Sequence, residues 1–238
     1  PYWLPRQKHL NDSFHSVRNN RISDFRHLWS VVTARQYGLR EEDGPTYPLP
    51  DGIPACGDIR RLVWSKCLFS DKSGNPRQFF LPTDTVAAIF AAKRRKDTGK
   101  VAALNFASFK NPGGMFLAGS KAQEECLCMD STLYPVLNSF RGAYYEPNKK
   151  LLNRALYTDR ALYTPDVVFE NDECTVKADI ITCAAPNKYA AQKYQKVSDE
   201  ENEKVLINRL LFIRDIVADQ GVDTLILGAF GCGVFGQD

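Results

Sequence analysis

Val101-Ala-Ala-Leu-Asn-Phe106, Ile180-Ile-Thr-Cys-Ala184 and Thr224-Leu-Ile-Leu227 are three short apolar runs, each ending in a loop rich in Gly, Asn or Pro. Such runs read as strands buried on both faces, the habit of parallel strands in an α/β sheet. Between the second and third lies the clearest helix. Ser198 and Glu201 form an S-x-x-E capping box, and an apolar stripe follows through Val205, Leu206, Leu210, Ile213, Ile216 and Val217. Arg209 breaks the stripe and Gly221 stops the helix. Strands alternating with helices imply a layered α/β domain, whose ligands bind beyond the carboxyl ends of the strands.

Upstream, Phe79-Phe80-Leu81 reads as a short strand, and Thr83 or Asp84 as the cap of a helix through Val86, Ile89, Phe90 and Ala91. Earlier still the texture changes. One helix is expected from Ser23 to Ala34, with Phe25, Leu28, Trp29 and Val32 at helical spacing, followed by a Pro/Gly-punctuated loop from Gly44 to Gly57. The expected organisation is therefore an N-terminal, mainly helical accessory extension over residues 1–77 and a body over 78–238.

With 44% apolar and 25% charged residues in 238, the chain is neither wholly disordered nor collagen-like nor a coiled coil. No apolar run reaches the roughly 18 residues that span a bilayer, and the start is too polar for a signal peptide, so a soluble, intracellular, cytoplasmic protein is expected. The net charge of +3 is unevenly placed: residues 1–100 hold 17 Lys/Arg against 10 Asp/Glu, and the remainder 14 against 18. The basic part suits an anionic partner, although a single cluster such as Lys93-Arg94-Arg95-Lys96 reads first as a solvated helix face. Seven scattered cysteines suggest reduced thiols in a cytosolic setting. No metal site is expected, because His9, His15 and His27 all lie near the start and Cys126-x-Cys128 is too tight for a zinc pair.

Three segments carry chemistry. After Phe106 comes Asn111-Pro112-Gly113-Gly114-Met115, where paired glycines let the backbone approach a ligand and aim N–H groups at anionic oxygens. Gln123-Glu124-Glu125 then opens an apolar helical stretch. Adjacent residues on a helix point about 100° apart, so at most one glutamate touches a scissile atom while the other bonds sugar hydroxyls or the backbone. Gly228 to Gly236 holds four glycines at the end of a buried strand, which a diphosphate held by consecutive amides explains. Phe235 in that loop reads equally as a stacking residue and as a core anchor.

Together these segments resemble the macrodomain superfamily, and within it the bacterial-type poly(ADP-ribose) glycohydrolases, whose signature is a triple glycine, a short spacer and Gln-Glu-Glu. Gly113-Gly114-Met115, seven residues and Gln123-Glu124-Glu125 match it in all but the third glycine. The resemblance covers roughly residues 77–238 and implies a three-layer α/β/α fold with a mixed central sheet. It implies hydrolysis of the ribose–ribose O-glycosidic bonds of poly(ADP-ribose), releasing ADP-ribose, with no metal and no cofactor. Glu125 would be the catalytic general acid, a role that favours a partly desolvated carboxyl. Glu124 would orient the distal ribose, lined by Asn111, Gly113 and Gly114, with Gln123 also among the ligand-binding residues. Gly231, Cys232, Gly233 and Val234 would hold the diphosphate and Phe235 would pack on the ribose. The implied partners are poly(ADP-ribose) or an ADP-ribosylated protein, with no membrane and no direct nucleic-acid contact.

Two departures carry expectations of their own. A side chain at Met115 is expected to crowd the distal ribose or to force a different backbone conformation, and the body is expected to lack the last helix and strand of such domains. Both favour the alternative of an ADP-ribose-binding module without turnover. A mono(ADP-ribosyl) hydrolase using the same site is the other alternative, and turns made by unrelated glycines beside a solvated glutamate pair are the plainest reading of each segment alone.

Overall fold

The computed structural model describes residues 2–5, 65–70 and 76–237, with side chains described from residue 81 onward. At the centre runs the first apolar stretch. Val101 and Ala103 enter one core cluster while Ala102 and Leu104 enter another, so both faces of the strand are covered and its sequence shows no polar alternation.

Ahead of it come β1 (Tyr2–Pro5), β2 (Ser65–Ser70), β3 (Pro76–Leu81) and helix α1 (Thr85–Arg94), so this central strand is β4 (Val101–Phe106). Helices α2 (Gln123–Met129) and α3 (Leu133–Ser139) follow, then β5 (Arg160–Glu170), β6 (Thr175–Cys183), α4 (Lys188–Gln195), α5 (Asp199–Asp219) and β7 (Thr224–Leu227). The seven strands form one sheet in the order β1-β5-β6-β4-β7-β2-β3. β4 is parallel to β6 and to β7, and every other pairing is antiparallel. The sheet is therefore mixed, and the three apolar runs are the parallel strands at its middle. β5 has no comparable signal in the sequence: Pro165 and a bulge between Thr164 and Val167, with Asp166 at φ +54°, interrupt its pattern.

Helices cover both faces. On one, α1, α2 and α3 bury Ile89, Phe90, Leu127, Leu133 and Leu137; on the other, α5 buries Leu206, Phe212, Ile213 and Ile216. Asp84 caps α1 by accepting the Ala87 N–H at 2.8 Å. Its basic end is a solvated one, with Arg94 paired to Glu173 and Arg95 to Asp97. At α5, Ser198 Oγ accepts the Glu201 N–H at 3.2 Å, while the Glu201 carboxylate pairs with Arg154. Gly221, at φ +62°, follows its C-cap. The boundary drawn near residue 77 falls inside β3, and β1 and β2 join the same sheet. The expected helix Ser23–Ala34 and the loop Gly44–Gly57 lie outside the described residues. Among the described residues no helix is long and apolar enough to cross a membrane.

The polar break at Arg209 is a tie. Its side chain is 1% exposed; Nε donates to Asp159 at 2.8 Å, and the guanidinium also donates to the carbonyls of Ala184 and Leu156. Helix α5 is thereby fastened to the segment leaving β6. Arg209→Ala would strand these acceptors and lower stability by about 3 kcal/mol, read from the urea midpoint.

Candidate active site

Because β6, β4 and β7 are adjacent and parallel, their carboxyl ends open on one edge. The three loops singled out above leave from that edge, which is where α/β sheets place their ligands.

The glutamates enter from α2. Gln123, in the first turn, works on the strand: its Oε1 accepts the Phe106 N–H at 2.9 Å, and its Nε2 donates to the Leu104 carbonyl at 2.8 Å and to Thr85 Oγ1 at 3.2 Å. The Gln123 amide, expected to contact ligand, is engaged here in clamping the end of β4 to α1 and α2.

Glu124 is 3% exposed. Oε2 accepts the Ser108 N–H at 2.6 Å, Oε1 lies 3.4 Å from Asn105 Nδ2, and the Gly113 N–H also points at the carboxyl. Burial outweighs these donors, and with the neighbouring Glu125 charge it pushes the Glu124 carboxyl up to about 8. Glu125 is 6% exposed: Oε1 accepts the Met115 N–H at 2.8 Å, and Oε2 is buried with no hydrogen-bond partner. Both carboxyls are thus bonded by N–H groups of the loop after β4, and they differ in that Glu125 keeps one buried oxygen without a partner.

Gly114 makes this possible. Its φ is +59°, and a Cβ there would lie 2.4 Å from Glu125 Oε1 and 3.0 Å from Glu124 Oε2. Gly113, at φ +67°, would place a Cβ 2.7 Å from the Tyr134 ring. Met115 is different. Its φ of −108° lies outside the glycine-favouring region, so the side chain brings no left-handed strain, and that side chain is 58% exposed. Asn111 sits exposed at the loop tip, its carbonyl accepting the Gly114 N–H at 3.1 Å.

The last loop turns at Gly231, φ +84°, where a Cβ would lie 2.8 Å from both Ala185 Cβ and Gln237 Cγ. Cys232, Gly236 and Gln237 donate their N–H groups within the loop, while those of Gly233, Val234 and Phe235 donate to no group among the described residues. Consecutive unengaged N–H groups of this kind suit anionic oxygens. The Phe235 ring is half-buried, 5.9 Å edge-on from Tyr157, which stacks on Phe109 at 4.3 Å. This aromatic column joins the first loop to the last, so Phe235 acts at least as an anchor. Gln237 closes the loop by donating to the Pro186 carbonyl at 2.7 Å and exchanging hydrogen bonds with Asn202.

Asn105 belongs to the site and escaped the sequence reading. Fully buried at the end of β4, it joins Thr182 on β6 to Glu124, with its Oδ1 unpartnered. The available signal was a lone amide in an otherwise apolar strand. Among the described residues no cluster of His, Cys, Asp and Glu is arranged to hold a metal.

Comparison with known proteins follows the same lines. The family model described as microbial-type PARG, catalytic domain, matches residues 32–172. The structure is similar to the poly(ADP-ribose) glycohydrolase of Thermomonospora curvata, at 35% identity and TM-score 0.57, over 65% of this chain and 57% of that one. It is also similar to the Deinococcus radiodurans poly(ADP-ribose) glycohydrolase in complex with ADP-ribose, at 38% identity and TM-score 0.56, over 65% and 63%. With the Thermomonospora curvata enzyme bound to the inhibitor ADP-HPD the figures are 29% and 0.56, over 72% and 76%. The chain thus spans about 57% to 63% of the length of the first two of these relatives. No curated protein matches in sequence.

Two outcomes follow from the geometry. Gly114→Ala forces a side chain into left-handed backbone against a buried carboxyl and should lower unfolding stability by about 2 kcal/mol or more in urea melts. For Glu124, raised from its ordinary 4.5 to about 8, the stability advantage of the neutral form is complete below 4.5 and lost as pH rises through about 8. Wild type should therefore lose stability relative to Glu124→Gln across that window and run parallel to it above, as thermal melts against pH would record.

Proposed function

The chain belongs to the microbial-type PARG catalytic domain family, and from that premise we propose that it hydrolyses the ribose–ribose O-glycosidic bonds of poly(ADP-ribose) and releases ADP-ribose. One observation carries the reading: the Glu125 carboxyl is fixed through Oε1 by the Met115 N–H while Oε2, buried and unpartnered, is left for a ligand.

In this reading the terminal ADP-ribose unit lies along the edge of the sheet. The N–H groups of Gly233, Val234 and Phe235 take its diphosphate oxygens, and the distal ribose sits against Gly114 and the two glutamates. Glu125 gives its proton to the departing ribose oxygen as the C1–O bond breaks, and the bonding pair leaves with that oxygen. An oxocarbenium-like centre develops and water attacks it, the surplus proton returning to Glu125. With its carboxyl pushed up to about 8, Glu124 is mostly neutral at pH 7 and brings little negative charge beside the reacting group; in this reading its carboxyl offers hydrogen bonds to ribose hydroxyls. In this reading Asn111, exposed at the loop tip, contacts the same ribose.

Labelled poly(ADP-ribose) tests the proposal. Wild type should release ADP-ribose, and Glu125→Gln should lower the rate by about a hundredfold or more, with ADP-ribose affinity measured by calorimetry kept within a few fold. No release by wild type, or equal release by both proteins, overturns it.

A further inference from the structure

Residue 115 is held at the acid by its own backbone, whose N–H donates to Glu125 Oε1 at 2.8 Å. Its side chain has no place in the core. Met115 is 58% exposed and Leu117 is 78% exposed, while Phe116 between them turns inward onto the Tyr134 ring, with centroids 4.9 Å apart. The segment Phe116–Ala118 is a single 3-10 turn anchored by Phe116, and the Met115 side chain ahead of it is exposed. An exposed, flexible thioether on a residue whose own N–H bonds the proton-donating group is available to whatever that group protonates.

We propose that Met115 is a specificity-determining residue whose side chain packs on the purine of the leaving adenosine, favouring polymer over a single ADP-ribosyl group attached to protein. The inference rests on the poly(ADP-ribose) reading of the same site. In a ribose–ribose linkage the oxygen that takes the Glu125 proton belongs to the ribose of an adenosine, so an aromatic base lies one sugar ring from the acid. In a mono(ADP-ribosyl) protein the departing oxygen belongs to an amino-acid side chain, which offers no such face. Thioether and aromatic ring attract each other, and the side chain adapts to an imperfectly placed partner. The Met115 N–H to Glu125 hydrogen bond ties the backbone of residue 115 to the acid that the departing oxygen meets.

Steady-state kinetics on poly(ADP-ribose) and on a mono-ADP-ribosylated protein, with calorimetry on ADP-ribose, provide the test for Met115→Ser and Met115→Leu. The serine variant should raise KM for polymer about fivefold, with little change in kcat, and leave both KM for the mono-modified protein and ADP-ribose affinity within twofold. The leucine variant, still apolar, should recover most of the polymer KM. An unchanged polymer KM in Met115→Ser overturns the inference, as does an equal rise for both substrates or a parallel loss of ADP-ribose affinity. Wild type that binds neither polymer nor ADP-ribose overturns the underlying reading and this one with it, whereas wild type that turns over polymer with a KM indifferent to residue 115 overturns this one alone.

Discussion

Two neighbouring carboxyl groups enter the protein at the start of α2, both nearly sealed from water, and the groups that meet them are backbone N–H donors and one amide. A buried carboxylate left without partners costs several kcal/mol, so its surroundings must bond it or neutralise it. The loop after β4 does the first, bringing the N–H groups of Ser108 and Gly113 to Glu124 and that of Met115 to Glu125. The raised affinity of Glu124 for its proton does the second. Neither arrangement survives a side chain at Gly114, whose Cα passes against both carboxyls.

From this constraint the rest of the edge can be ordered. Gln123, one residue earlier, bonds the end of β4 and so sets where α2 starts and where its glutamates emerge. Asn105 carries the connection sideways to Thr182 on β6. The Phe109–Tyr157–Phe235 column couples the glutamate loop to the glycine loop after β7, and the Gln237–Asn202 pair fastens that loop to α5. The two ends of the site differ in kind. One presents N–H groups that donate to no group among the described residues, and the other presents two carboxyls; the proposed function sets the diphosphate against the first and the distal ribose against the second.

Much of this was legible beforehand and some was not, for reasons that lie in particular residues. The parallel strands were readable because β4, β7 and the second half of β6 are covered on both faces and hence mostly apolar, and α5 because its cap and stop residues are local signals. β5 was hidden by Pro165 and a bulge, devices that break the period on which strand recognition depends. Gln123 was assigned to ligand through its place in a motif, yet its amide turns to the strand; a motif records which residues recur together and not which way each one faces. Met115 was expected to crowd the distal ribose or to force a different backbone conformation; its φ of −108° is one that a residue other than glycine adopts without strain.

By itself the sequence determined the fold class, the three loops and the identity of the glutamate pair, because apolar runs, glycine clusters and caps act over a few residues and leave their mark in order along the chain. Tertiary structure alone decided which loop N–H groups meet each glutamate and that Glu125 keeps an unpartnered oxygen, that Arg209 is a buried tie between α5 and the exit of β6, and that Asn105 bonds Glu124. The physical reason is common to all three. Burial and hydrogen-bond partnership are set by segments far apart in sequence, and the state of a buried polar group depends on those partners more than on its neighbours along the chain.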